Sequence, residues 1–214
     1  MRNRIAQFIV IIQICLSHLL ISPANSEAII KSKDIETYLN SIKTLHADLI
    51  QISSNGEVQT GILLIKKPGQ LRFEYDSPAD HLVIASGLLL VIIDKKSASE
   101  PQRYLTSQTP IGYLLDKNIN LHANEALEKI FIEDTLIHVS FYDQKKPTAG
   151  KLKLVFSQTP IALKEWTITN YSGEKTRVLL EKLSISPIAY ILCFSAYLTT
   201  SNIFVLLLFI CGQQ

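Results

Sequence analysis

The sequence predicts an α+β fold: an unclosed antiparallel β-barrel or strongly curved sheet, with a lid of about three helices over one face. Three observations predict it. About ten short stretches alternate apolar and polar residues, with turn residues between them at a spacing of roughly ten residues. One amphipathic segment precedes them all, and two further helical segments interrupt the strands midway.

Ser32 to Leu45 places Ile35, Tyr38, Leu39, Ile42 and Leu45 at helical spacing, with Ser32 or Asp34 available to cap the start. Its apolar face must cover something. After it the period falls to 2: Ala47, Leu49 and Gln51 alternate with Asp48, Ile50 and Ile52, and Asn55-Gly56 supplies a hairpin turn into the return strand Val58 to Lys66. Pro68-Gly69 turns the chain again, and Leu71, Phe73 and Tyr75 then share one face opposite Arg72 and Glu74.

Ser77-Pro78 ends that strand. His81 to Ala85 and Leu88 to Asp94 pair across Ser86-Gly87, and Lys95 to Gln102 reads as a polar loop. Ile137 to Tyr142, Lys151 to Phe156, Leu163 to Asn170 and Thr176 to Ile185 repeat the strand and turn pattern. Between the two runs, Ile111 to Leu115 and Asn124 to Phe131 read as short helices. With the first helix, they would lie over one face of the sheet.

The two ends of the chain carry different signals. Residues 1–26 open with Arg2 and Arg4, continue through an apolar run and close with small residues, Ala24 and Ser26 standing at the minus-three and minus-one places of a secretory signal peptide. Gln7, Gln13, Ser17 and His18 interrupt the run, which favours a cleaved signal over an uncleaved anchor. Residues 187–214 form an apolar tail in which Ile188 to Cys211 carries no charge, a length able to span a bilayer of about 30 Å. Two readings of it stand open: a C-terminal membrane anchor, or an ending altered by a shifted reading frame. Residues 27–186 between them are expected to form one domain.

Several function classes have no residues to stand on. Removing the signal takes away Arg2 and Arg4 and no acid, which leaves 19 basic residues against 19 acidic ones and no electrostatic case for nucleic acid. Cys15 lies in the signal, and Cys193 and Cys211 lie in the tail, so no metal cluster or disulfide framework is expected in the domain. His46, His81, His122 and His138 are scattered singly. No nucleophile elbow, phosphate loop or dinucleotide fingerprint occurs, so no catalytic residue, metal or cofactor is expected and the protein is read as a non-enzyme.

Four ordered motifs carry a family likeness: "LHADLIQ" at Leu45 to Gln51, "GEVQTGILLIKKPGQLRFEYDSP" at Gly56 to Pro78, "LVIASGLLLVIID" at Leu82 to Asp94, and "TPIGYLL" at Thr109 to Leu115. Together they resemble the LolA family, periplasmic carriers that ferry lipoproteins from the inner to the outer membrane. The likeness covers about Ser32 to Leu183. It implies an unclosed barrel whose helical lid covers an apolar cavity for acyl chains.

By that resemblance, Leu49, Leu71, Phe73, Leu90 and Ile92 belong to the cavity wall, and Ile111, Leu114 and Leu115 to the lid. Lys67 falls where many members carry an arginine implicated in lid contacts and cargo release; lysine keeps the charge but lacks the planar fork. The implied partners are acylated lipoproteins, an inner-membrane lipoprotein-releasing transporter and an outer-membrane acceptor, met by a monomeric carrier.

The need for such a cavity follows from elementary transfer energetics. An acyl chain of about 16 carbons costs about 0.8 kcal/mol per methylene to hold in water, so about 12 kcal/mol in all. Two departures stand out in the sequence. Where the family usually has a polar Asp-Gly-Lys turn, this chain has Ser86-Gly87-Leu88-Leu89, and the uncharged tail stands in place of the family's last strands after about Leu183. The alternative function is a lipid-binding or structural envelope protein of the same fold, fixed to the membrane by that tail.

Overall fold

The computed structural model describes residues 24–185. Most of the signal segment and the whole tail from residue 187 lie outside the described residues, as do the readings attached to them. Among the described residues no helix is long and apolar enough to cross a membrane.

Helix α1, Ala24–Ser41, is followed by six strands: β1 (Thr44–Ile52), β2 (Val58–Lys66), β3 (Gln70–Tyr75), β4 (His81–Ser86), β5 (Leu89–Asp94) and β6 (Gln102–Leu105). A 3₁₀ turn at Thr106–Gln108 and the four-residue helix α2, Gly112–Leu115, lead to five more strands. These are β7 (Leu127–Glu133), β8 (Leu136–Tyr142), β9 (Lys151–Gln158), β10 (Ile161–Thr169) and β11 (Lys175–Ile185).

All eleven strands form one antiparallel sheet in the order β6-β5-β4-β3-β2-β1-β11-β10-β9-β8-β7. The last strand thus closes onto the first at the middle of the sheet, Leu49 facing Leu180 and Ile52 facing Arg177. Strands β6 and β7 form its two open edges. The curvature can be read from one contact. Three strands lie between β3 and β10, so four steps of about 4.8 Å would hold them about 19 Å apart in a flat sheet. Yet the rings of Phe73 on β3 and Trp166 on β10 meet edge to face at 5.9 Å between centroids.

Local devices permit that curl. Irregularities between His46 and Asp48 and between Leu163 and Glu165 insert extra residues into the ladders, which sharpens the twist. Gly61 lets β2 approach β3 where no side chain fits, since a Cβ there would sit 2.1 Å from the Glu74 carbonyl oxygen.

The alternation seen in the sequence sorts the two faces. Leu45, Ala47 and Leu49 on β1, Leu71, Phe73 and Tyr75 on β3, Ile137, Val139 and Phe141 on β8, and Leu152, Leu154 and Phe156 on β9 all enter one buried cluster. The inner face is therefore apolar across both halves, and α1 lies on it through Ile35 and Leu39, with Ile42 just past its end. Tyr38 meets Phe156 edge to face at 6.0 Å, and its hydroxyl accepts the Leu163 backbone N–H at 3.1 Å.

Three expectations are corrected. The first helix runs from Ala24 to Ser41 rather than from Ser32 to Leu45: Ser32 and Asp34 lie within it instead of capping its start, and Leu45 already pairs with Ile65 as part of β1. The segment Asn124 to Phe131 is not a third lid helix: from Leu127 it runs as β7, Ile130 opposite Val139 and Ile132 opposite Ile137. Its "IFI" core is β-branched and aromatic, and pairing with the neighbouring strand overrides the helical preference of "NEALEK". The polar loop after β5 ends at Pro101, one residue sooner than expected, and Gln102 opens the unforeseen strand β6, whose four residues are all exposed. The inner face is covered by α1, by α2 and by residues Ile119 and Leu121 of the segment joining α2 to β7.

Candidate functional site

The residues assigned by resemblance to the cavity and lid come together on the inner face. Leu49, Leu71, Phe73 and Leu90 are buried in the same cluster as Ile111, Leu114 and Leu115, with Ile92 half-buried against it. Leu90 and Ile92 share a face because they are two residues apart on β5, and Ile111, Leu114 and Leu115 reach it from the turn of α2. At these positions the covering residues pack directly on the wall among the described residues: Leu49, Leu71 and Leu114 are each at most 2% exposed. An empty apolar space would forfeit dispersion contacts on one side, so the lid side chains fill it.

Polar bonds fasten this lid, and they fall in a row. Ser32, Glu36 and Asn40 stand four residues apart and so line one stripe of α1, beside the apolar stripe of Ile35, Leu39 and Ile42. The segment after α2 runs along that stripe. The Asn40 amide donates to the Ile119 carbonyl at 2.8 Å and accepts the Ile119 N–H at 2.8 Å. One Glu36 carboxylate oxygen accepts the Leu121 N–H at 3.0 Å, while Lys33 donates to the other at 2.9 Å. Those two donors hold the Glu36 carboxyl below the usual carboxylate range, the Lys33 bond contributing most. Ser32 completes the row, its hydroxyl 3.1 Å from the His122 ring nitrogen Nε2.

Lys67 adds a bond at the other end of the helix. Its ammonium donates to the Leu39 carbonyl at 3.0 Å, one of the carbonyls near the helix C-terminus that lack a partner along the helix. Burial, opposed by the Asp116 carboxylate and aided by the Lys43 charge, brings its pKa from 10.5 down to about 8. At neutral pH it is still mainly charged. Next to it the turn at Gly69 anchors α2, the Gly69 N–H donating to the Leu115 carbonyl at 2.9 Å. Gly69 has a φ of 73°, which a side chain would strain.

Trp166 is a polar donor buried at the heart of the face. It is fully buried beside Phe73, and its Nε1–H has no hydrogen-bond partner among the described residues. Tyr75 by contrast donates to the Gln51 side chain at 2.6 Å, and burial holds its hydroxyl far above the usual phenol range. Sequence reasoning named residues that lie in the buried apolar cluster and Lys67 beside it, and did not name the Ser32, Glu36 and Asn40 row or the orphan donor of Trp166. A polar stripe at i, i+4, i+8 flanking an apolar one was the available signal for the row; nothing in the sequence distinguishes Trp166 from an ordinary core tryptophan.

Among the described residues no group of histidine, cysteine or acidic side chains could hold a metal ion. The arrangement places polar bonds from α1 and Lys67 around a buried apolar face. The chain is 22% identical over 189 residues to an outer-membrane lipoprotein carrier protein of Nitrosomonas europaea, covering 84% of this chain and 88% of the relative. It is 24% identical over 151 residues to an uncharacterized protein of Rickettsia prowazekii, covering 71% of this chain and 68% of the relative. A solved structure of a LolA superfamily protein from Nitrosomonas europaea aligns over 77% of this chain and 98% of its own, at 12% identity and a TM-score of 0.41. The family model described as outer membrane lipoprotein carrier protein LolA matches residues 40–189, well over half of the sequence, and the chain belongs to the LolA family.

Proposed function

We propose that this protein is a periplasmic carrier that takes the acyl chains of lipoproteins between its inner sheet face and its lid, and ferries them from the inner to the outer membrane. The observation that carries the reading is the apolar inner face drawn from both halves of the sheet, covered by a helix whose flank is fastened by a short row of polar bonds. Leu49, Leu71, Phe73, Leu90 and Ile92 form the wall in this reading, Ile111, Leu114 and Leu115 the lid, and Lys67 the contact broken on loading and remade on release.

The energies are of the right order. Each lid bond contributes about 1 kcal/mol net, because water replaces it when it opens. Sheltering one acyl chain is worth about 12 kcal/mol. Cargo also replaces the apolar contacts that the lid gives up, so binding can open the lid without nucleotide hydrolysis in the carrier. An inner-membrane transporter would load the cargo and an outer-membrane acceptor receive it, each step running toward tighter binding. Lysine at position 67 supplies a single donor to Leu39 where an arginine would supply a fork, so this lid opens at lower cost than an arginine-latched one.

Site-specific photo-cross-linking tests the reading. With Phe73 replaced by benzoylphenylalanine, irradiation of cells is expected to join the protein to acylated lipoproteins, and the same substitution at exposed Tyr171 is not. Equal capture at both positions, or none at Phe73 in a folded protein, contradicts it.

A further inference from the structure

The turn between β4 and β5 has no counterpart in the lid and cavity chemistry. Leu88 stands at its tip, 79% exposed, with Leu89 at 37% and Leu105 at 45% directly behind it. Register makes these a patch: Leu89 faces Leu105, Leu90 faces Tyr104 and Val91 faces Arg103. Tyr104 is itself 45% exposed, and Arg103 has no carboxylate partner among the described residues, its guanidinium donating only to the Pro101 carbonyl at 3.4 Å. Polarity therefore changes in order along the hairpin, from leucine at the tip through tyrosine to arginine.

We propose that this tip is a bilayer-insertion element, Leu88, Leu89 and Leu105 entering the interface of an anionic membrane while Tyr104 and Arg103 lie at headgroup depth. The spacing fits. At about 3.4 Å per residue, Arg103 sits about 7 Å behind Leu105, within the depth of roughly 5 to 10 Å that interfacial elements occupy. Apolar tip, then aromatic, then cation is the polarity profile of a membrane interface, where tyrosine favours the boundary and arginine the phosphates. A convex hairpin end also suits a deformable medium; a protein partner would need a matching hollow.

The tip is held in place and joined to the lid. The Thr106 N–H donates to the Leu88 carbonyl at 2.8 Å, the Gly87 N–H to the Gly69 carbonyl at 3.1 Å, and the Gly69 N–H to the Leu115 carbonyl at 2.9 Å. A pocket of about 390 Å³ lined by Gly69, Gly87, Leu88, Thr106, Tyr113 and Leu115 among others lies between tip and α2. Insertion thus brings the end of the lid to the membrane surface. The inference stands apart from the carrier reading, since the tip would enter a bilayer whether or not the inner face takes acyl chains.

The test uses the full chain with its three cysteines replaced by serine and one new cysteine, Leu88→Cys or Tyr171→Cys, labelled with an environment-sensitive fluorophore. Tyr171 is the matched control, also 79% exposed but on the β10–β11 turn. On vesicles of phosphatidylethanolamine and phosphatidylglycerol, the label at 88 is expected to shift blue and be quenched by brominated lipid, and the label at 171 to do neither. Arg103→Gln should weaken partitioning about fivefold on these vesicles and leave it unchanged on neutral ones. The proposal is overturned if the protein binds vesicles with the label at 88 still in water, if both labels respond alike, or if no vesicle binding occurs.

Discussion

Leucines do opposite work in two regions of this molecule. On the inner face, Leu49, Leu63 and Leu71 are at most 1% exposed and hold lid and sheet together, whereas at the β4–β5 tip Leu88 lies 79% in water. The residue type is the same and the stretches are 17 residues apart at their nearest, from Leu71 to Leu88. What differs is strand parity and position: an inward leucine within a strand meets α1 or the opposite half of the sheet, while a leucine in a turn meets whatever is outside. The difference teaches that apolar surplus in one part of a sequence can serve stability and in another be left over for a partner.

The largest expected effect separates the two regions by stability. Leu71→Ala should cost about 2 to 5 kcal/mol, because a buried leucine leaves a cavity, while Leu88→Ala should stay within about 0.5 kcal/mol. Denaturant unfolding of both variants measures it, and similar losses would erase the distinction. Next comes the lid fastening. Asn40→Ala leaves both the Ile119 N–H and its carbonyl without their partner and should cost about 1 to 3 kcal/mol. Hydrogen exchange should show the Ile119 amide freed while amides within β3 stay protected, since the lid opens before the sheet.

A smaller effect is expected from pH. Lys67 titrates near 8 when folded against 10.5 for the ordinary side chain, so between those values the unfolded chain holds the extra proton. Stability rises with pH wherever the unfolded state binds more protons. The wild type should therefore gain on a Lys67→Met variant as pH rises from 8 to 10.5, and a flat difference between their melting points over that window would place the ammonium in water. The smallest effect is again at the tip: Leu88→Asp should leave the melting point unchanged while it removes vesicle binding.

Much of this fold was legible because strand parity is a strong signal. Leu71, Phe73 and Tyr75 alternate with Arg72 and Glu74 in the sequence and end on the inner face in the structure. Strand β6 was hidden because Gln102 to Leu105 is short and wholly exposed, so no alternation marks it. Strand β7 was misread because Ala126, Leu127, Ile130 and Phe131 also fit a helix, and only β8 beside them decides the matter.

For the site, resemblance picked residues that prove to lie on the inner face, but whether the face encloses space or packs shut cannot be written in composition, since a core and a pocket use the same side chains. The row of Ser32, Glu36 and Asn40 escaped because helical patterns are searched for apolar stripes. Its partners at 119 to 122 lie about 80 to 90 residues away in sequence, as with the separation of 79 between Asn40 and Ile119.

Trp166 permits the most direct measurement. It is the chain's single tryptophan, fully buried on the inner face against Phe73, and so reports on that interior alone. Titration of the protein with a fatty acid brominated along its chain should quench Trp166 emission saturably, and an unbrominated palmitoyl peptide should reverse it. Binding of the brominated acid with Trp166 emission unchanged would put acyl chains elsewhere on the protein and contradict the inner face as their site.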